Sequence, residues 1–200
     1  MPCTQLNVKR KRQLPDLCGP ACAQMILLAE GGVPDNSDKV QLELWDEVQA
    51  KTGNAANAFP IIEGCGGSDP LEWATHPVAL RKTLNARLPG NPMHVIDDPD
   101  EDVTTVNALR SVKQGLAAAV LVDDTTHWIV AFGCERKPKR GKIPEETIDG
   151  DVLTHILVRD PAAGGYKIRQ TLDAWRAALF AVDCGDFTTK YVVVGTQPST

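Results

Sequence analysis

The stretch GLAAAVLVDDTTHWIVAFG, residues 115–133, holds the change of hydrophobic period on which the fold turns. Leu116 to Val122 is a short apolar run closed by Asp123-Asp124, and its length suits a buried strand better than a helix. His127 to Gly133 predicts a second strand and Val152 to Arg159 a third. Upstream, helix signals dominate. Residues 20 to 31 open on Pro20, carry Ala21, Met25 and Leu28 on one stripe, and stop at Gly31-Gly32. Ser37 caps a second predicted helix with Val40, Leu44, Trp45 and Val48 on one face before Gly53. A third spans 77 to 88 between Pro77 and Pro89-Gly90, and a fourth spans 103 to 114 after an acidic turn at Asp97 to Asp102. The Asn-, Gly- and Pro-rich stretch from Thr52 to Pro70 reads as loop, and Glu135 to Asp149 as an exposed excursion. A last helix at 171 to 180 and a strand at Tyr191 to Gly195 complete the chain. Helices first and an antiparallel sheet after them predict one α+β domain over 1–200, helical to about residue 115 and sheet beyond it.

The bulk composition agrees with that layout. With 42% hydrophobic and 24% charged residues, 200 residues suit one globular domain with its own core. A net charge of -5 gives no overall reason to bind nucleic acid or an anionic membrane. The N-terminus reaches Lys9-Arg10-Lys11-Arg12 without the apolar run of a secretory signal, and no segment approaches the roughly 20 apolar residues of a membrane span. A soluble protein is expected, cytoplasmic or exported without a cleavable signal. The basic run reads as solvated surface. Cysteines at 3, 18, 22, 65, 134 and 184 form no C-x-x-C pair and read as free thiols in a reducing compartment. Cys18 and Cys22 offer two metal ligands on one helix face, but no second pair follows, so neither metal nor cofactor is expected. Trp45, Trp73 and Trp175 read as packing residues.

Chemistry concentrates at the start of the first predicted helix. The unpaired N–H groups and dipole of a helix N-terminus stabilise a thiolate, and Cys18 stands in a polar, turn-like segment just before Pro20. Gly19 keeps bulk away from the sulfur. Cys22, one turn on, reads as packed and inert.

Four histidines compete to be its base, and strand arithmetic separates them. If 127–133 pairs antiparallel with 152–159, His127 falls beside Arg159-Asp160, so Asp160 can hold one ring nitrogen and leave the other to the thiol. His155 then lies near Phe132, roughly 16 Å away at the other end, as a sheet histidine. His76 reads as a helix cap or surface residue, and His94 as part of a loop. Alternation puts His127, Ile129 and Ala131 on one face, the one expected to receive the Cys18 helix.

Gln13-Leu14-Pro15-Asp16-Leu17-Cys18-Gly19-Pro20-Ala21-Cys22-Ala23 resembles the nucleophile segment of papain-like cysteine peptidases, above all the bacteriocin-leader peptidase type and its stand-alone relatives. Lys113-Gln114-Gly115, the segment His127 to Gly133 and Val158-Arg159-Asp160-Pro161-Ala162 follow in the same order, while residues 35 to 100 show no likeness. The resemblance implies an N-terminal helical part packed on a C-terminal antiparallel sheet, and a protein or peptide substrate. It implies attack by Cys18 on a carbonyl, with His127 as base, Asp160 orienting it and Gln13 stabilising the oxyanion. Gln13 stands one residue nearer to the cysteine than is usual in that family. A bacterial effector, toxin or peptide-maturation enzyme fits such an activity. Deamidation or acyl transfer by the same residues stays open, as does a non-catalytic binding module.

Overall fold

Every strand pairing in the computed structural model is antiparallel, and both apolar runs lie in the middle of the sheet. Residues 5–55, 75–88, 90, 93–122, 127–137, 147–148, 151–179, 181–182 and 190–196 are described. Their helices are α1 (Cys18–Ala29), α2 (Asp38–Ala55), α3 (Pro77–Arg87), α4 (Glu101–Lys113) and α5 (Leu172–Ala178). The strands are β1 (Met93–Asp98), β2 (Ala118–Val122), β3 (His127–Lys137), β4 (Thr147–Ile148), β5 (Asp151–Arg159), β6 (Lys167–Thr171), β7 (Ala181–Val182) and β8 (Lys190–Thr196). They run in the order β1-β8-β2-β3-β5-β4, with β6 also on β5 and β7 also on β8. The chain is α+β, as the change of period predicts.

Four strands depart from the sequence reading: the two-residue β4, inside the predicted excursion, the two-residue β7, and two longer ones. Met93–Asp98 pairs with β8 from Met93↔Thr196 to Asp98↔Tyr191, so His94 and Asp97 stand in a strand, not in a loop and an acidic turn. Only Met93 in it is buried, so no inward and outward alternation marks it. The second, β6, is the polar run Lys-Ile-Arg-Gln-Thr on β5. A charged edge strand blocks further pairing but carries no apolar signal.

Helices cover both faces of the sheet. On one, α1 lays Cys22, Met25 and Ile26 against Trp128, Val130 and Phe132, with Leu44 of α2 and Leu80 and Leu84 of α3 behind. On the other, Ala108 and Leu109 of α4 and Trp175 of α5 cover Val120, Ile129, Ala131 and Val193. The expected face is therefore reversed: α1 takes the Trp128 side, because the large residues there fill the gap to a helix built from small and aliphatic ones. Trp175 packs as expected and donates its indole N–H to Thr105 Oγ1 at 2.7 Å.

The N-terminal segment is a strap across the sheet. Leu6 N donates to Phe132 O at 2.9 Å, at the point where β3 shifts register against β5, and Gln13 N donates to Pro161 O at 3.1 Å. Between them Val8 is buried in the core and Lys11 is only 6% exposed, so the basic run is not all solvated surface. Lys11 Nζ is tied to Asp38 Oδ1 at 2.6 Å and Asn36 O at 3.1 Å. Pairing compensates its burial.

Cysteine oxidation also departs from expectation. Cys134 on β3 is disulfide-bonded, while Cys18 and Cys22 are free. Spacing along the chain does not reveal pairing between remote segments. Cys3, Cys65, Cys184, Trp73 and most of the predicted loop from Thr52 to Pro70 lie outside the described residues. Among the described residues no helix is long and apolar enough to cross a membrane.

Gly165 has a φ of 71°, and a methyl group on it would collide with the backbone of Lys11. Gly165→Ala should therefore destabilise the protein by about 1 kcal/mol or more, read as a lower urea midpoint at unchanged slope.

Candidate active site

The approach to α1 is a tight turn. Leu17 N donates to Leu14 O at 3.1 Å, Pro15 takes the second position, and Asp16 takes the third with a φ of 60°. That is the left-handed geometry of a type II turn, which proline favours at its second residue and glycine or asparagine at its third. Helix α1 then begins at Cys18, and Leu17 provides no side-chain cap to its first N–H groups. Those groups remain available beside the sulfur, whose residue is 8% exposed. Gly19 is required: a methyl group there would overlap the side chain of Thr75.

His127 opens β3, and its Nε2 lies 2.7 Å from Asp160 Oδ1. Asp160 follows directly on β5 and also accepts from Ala162 N at 2.8 Å, which fixes the carboxylate in its own turn. The strand register that brings them together is not the expected one. Arg159 faces Val130, three residues beyond His127, and His155 faces Glu135 instead of Phe132. Asp160 reaches His127 because the chain leaves the sheet after Arg159 and turns back through residues 161–165. His155 sits away from the site, with Nδ1 3.8 Å from Glu135 Oε2.

The Cys18 thiol also acts on this ring, so one imidazole stands between the thiol and the carboxylate. Burial alone would push its pKa down, but the hydrogen bonds to Asp160 and Cys18 and the attraction of both groups carry it up to about 9. Burial would raise the Asp160 pKa, yet the bond and charge of His127 hold it below the usual carboxylate value. The pair is thus ionised at neutral pH. Its contribution to stability is complete between the ordinary values of about 4 and 6.5. It is lost as the pH rises through about 9, and on the acid side as Asp160 takes up its proton.

Buried contacts hold these groups in register. Cys22 Sγ donates to Trp128 O at 3.2 Å, joining the helix of Cys18 to the strand of His127 one residue along. Its thiol is fully buried, and burial followed by the charges of Cys18 and Asp160 pushes its pKa well up, so it stays protonated, as packed residues do. Trp128 Nε1 donates to Thr75 O at 3.1 Å, and Thr75 packs on Gly19. His76 caps α3 by accepting from Val78 N at 3.3 Å, and burial keeps it neutral with a pKa down to about 4.

Gln13 projects from the same strap. Its backbone is pinned beside Asp160 through Pro161, and its Oε1 is buried without a hydrogen-bond partner. Two residues absent from the sequence reading clamp that segment. Gln41 Oε1 accepts from Leu14 N at 2.6 Å while its Nε2 donates to Arg12 O at 3.2 Å, bracketing Gln13 on both sides. Gln24 accepts from Gln41 and donates to Ser37 O at 2.8 Å. Both glutamines are fully buried, and a lone Gln inside the apolar run of α1 was the available signal for such a network. Among the described residues no group of three or more His, Cys, Asp or Glu side chains is placed to hold a metal ion.

No protein-family model matches the chain, and no curated protein does. Two solved structures are similar over nearly its whole length. One is a double glycine motif protease from an AMS/PCAT transporter, in complex with the leader peptide, at a TM-score of 0.48 and 12% identity over 96% of this chain and 94% of that one. The other, described as a C39-like peptidase from Bacillus anthracis, has a TM-score of 0.49 and 14% identity over 99% of each chain.

The ionised pair can be tested directly. In an NMR titration the His127 ring should keep its proton to about pH 9, and Asp160→Asn should move its midpoint towards 6.5. Gln41→Ala leaves Leu14 N and Gln24 Oε1 unpaired and should lower stability by about 1–3 kcal/mol in urea unfolding.

Proposed function

We propose that this chain is a papain-like cysteine peptidase acting as one domain. The observation that carries the reading is the single imidazole held by Asp160 at 2.7 Å and acted on by the thiol of Cys18, the first residue of a helix. A base beside a thiol at a helix start is the arrangement that a cysteine nucleophile uses. The thiolate attacks a peptide carbonyl and forms the C–S bond. The backbone N–H of Cys18 and the side-chain amide of Gln13 stabilise the resulting oxyanion. His127 then donates its proton to the leaving amine as the C–N bond breaks, leaving an acyl group on Cys18. Neutral His127 takes a proton from water, and the hydroxide equivalent cleaves the thioester and regenerates the thiolate. Asp160 fixes the ring orientation throughout.

Cys22 is no substitute nucleophile, because it is buried and protonated. Deamidation needs the same bonds on a glutamine side chain, and acyl transfer replaces water by an amine, so mass spectrometry of the products separates them. A backbone cut supports the peptidase. A gain of one dalton or an acyl adduct on an intact chain would move the function to one of the other two.

Cys18→Ala should abolish labelling by a thiol-directed inhibitor and lower turnover by on the order of 10⁴-fold, with the fold intact by circular dichroism. Labelling that persists at another cysteine overturns the assignment. The rate should fall at alkaline pH with a midpoint near 9, as His127 loses the proton it must donate, and Asp160→Asn should shift that limb to lower pH. Gln13→Ala should lower kcat by on the order of 10²-fold and leave KM nearly unchanged.

A further inference from the structure

The turn that carries Asp160 opens onto a groove for which the chemistry above has no use. Ala162, whose N–H holds the Asp160 carboxylate, lines two adjoining cavities of ≈ 550 and ≈ 480 Å³. Gln13, Leu14 and Pro15 wall the nearer one, Arg10 and Tyr166 the farther, and Arg12 and Asp38 border both. The groove therefore runs along the strap from Arg10 to Pro15 and takes in Gln13.

Its charges are unequal. Asp38 is the one carboxylate on either wall, and Lys11 already neutralises it at 2.6 Å. Arg10 and Arg12 have no carboxylate partner among the described residues. The Arg10 guanidinium lies 4.8 Å from the centroid of the Tyr166 ring, and that tyrosine is 60% exposed. Neighbouring Arg159, which donates to Gly165 O at 2.8 Å, is held below its usual pKa by burial and by repulsion from Arg10. Two arginines without a carboxylate partner among the described residues and a largely exposed tyrosine thus share one groove of a chain whose net charge is -5.

We propose that this groove is a substrate subsite for an acidic peptide segment, with Asp or Glu side chains paired to Arg10 and Arg12 and the backbone running past Gln13 towards Cys18. The proposal rests on the peptidase reading and gives it a substrate class. Guanidinium forks match carboxylates in two parallel hydrogen bonds, and the tyrosine ring offers a flat surface for the backbone between them. A long polyanion fits less well, because the acidic remainder of the molecule repels whatever extends beyond the groove.

The test uses full-length Cys18→Ala protein, so that binding is read without turnover, and fluorescence anisotropy of a labelled Glu-Ala repeat peptide against its Gln-Ala counterpart. The Glu peptide should bind at least about tenfold more tightly. That preference should vanish in the exposed-site double variant Arg10→Glu/Arg12→Glu, and should weaken when sodium chloride is raised from about 0.02 to about 0.3 M. Circular dichroism of the variant checks that it is folded, and Arg10→Gln/Arg12→Gln gives a second, milder pair. Equal binding of the two peptides, a preference that survives both double variants, or tighter binding of tripolyphosphate or a single-stranded oligonucleotide than of the Glu peptide would each overturn the proposal. None of these readings depends on Cys18, so the subsite can fail while inhibitor labelling of the wild type succeeds, or stand while labelling fails.

Discussion

The contact between α1 and β3 is the constraint on which the rest depends. A helix delivers the thiol at its first turn and a strand delivers the imidazole at its first residue, so their separation is set by how closely helix and sheet pack. The large residues Trp128, Val130 and Phe132 fix that spacing, and the Cys22 thiol ties the two elements by a direct hydrogen bond. That bond adds direction to a contact otherwise made by apolar packing. Core packing resists change in spacing because an interior at crystal density has no slack to absorb it.

Around this contact the molecule arranges two supports with different chemistry. On the strap side, the fully buried Gln41, itself held by Gln24, binds backbone groups on both sides of Gln13, so the segment before Cys18 is shaped by buried polar pairing. On the sheet side, the turn after β5 fixes Asp160 through its own backbone and presses Gly165 against the strap. Strap, turn and helix therefore meet with little freedom. Asp16 accepts a left-handed backbone as part of that arrangement, a conformation of modest cost for a short polar residue able to bond locally.

What the sequence disclosed follows from which signals are local. The strands at Leu116 to Val122 and His127 to Gly133 announce themselves by unbroken apolar runs, and the helix at Cys18 by Pro20 and the closing glycines. Cys18, His127 and Asp160 each stand at the boundary of such an element, and the structure places His127 against Asp160 with the thiol acting on the same ring. The route to that meeting was not readable. The pairing of β3 with β5 is offset by three residues at Arg159, β3 bulges between Ala131 and Gly133, and Asp160 leaves the sheet; none of these leaves a mark in composition. The face of β3 chosen by α1 was misread because alternation states which residues share a side, not which side a helix takes. Polar edge strands such as β6 and long-range links such as the Cys134 disulfide are decided by partners far along the chain.

The coexistence of that disulfide with two free thiols gives the molecule sulfur in two oxidation states at once. Burial separates them on one side: Cys22, sealed in the core, is out of reach of oxidant and reductant alike. Cys18 is 8% exposed, so it is less completely sealed, and under the proposed function a thiol that attacks a carbonyl also attacks peroxide or another disulfide. Conditions reducing enough to keep Cys18 as a thiol thus bear on the Cys134 bond as well, and conditions that preserve the bond expose Cys18 to sulfenic acid. The handling of this protein, in a tube or in a cell, is a matter of holding a redox window and not merely of adding or omitting a reductant.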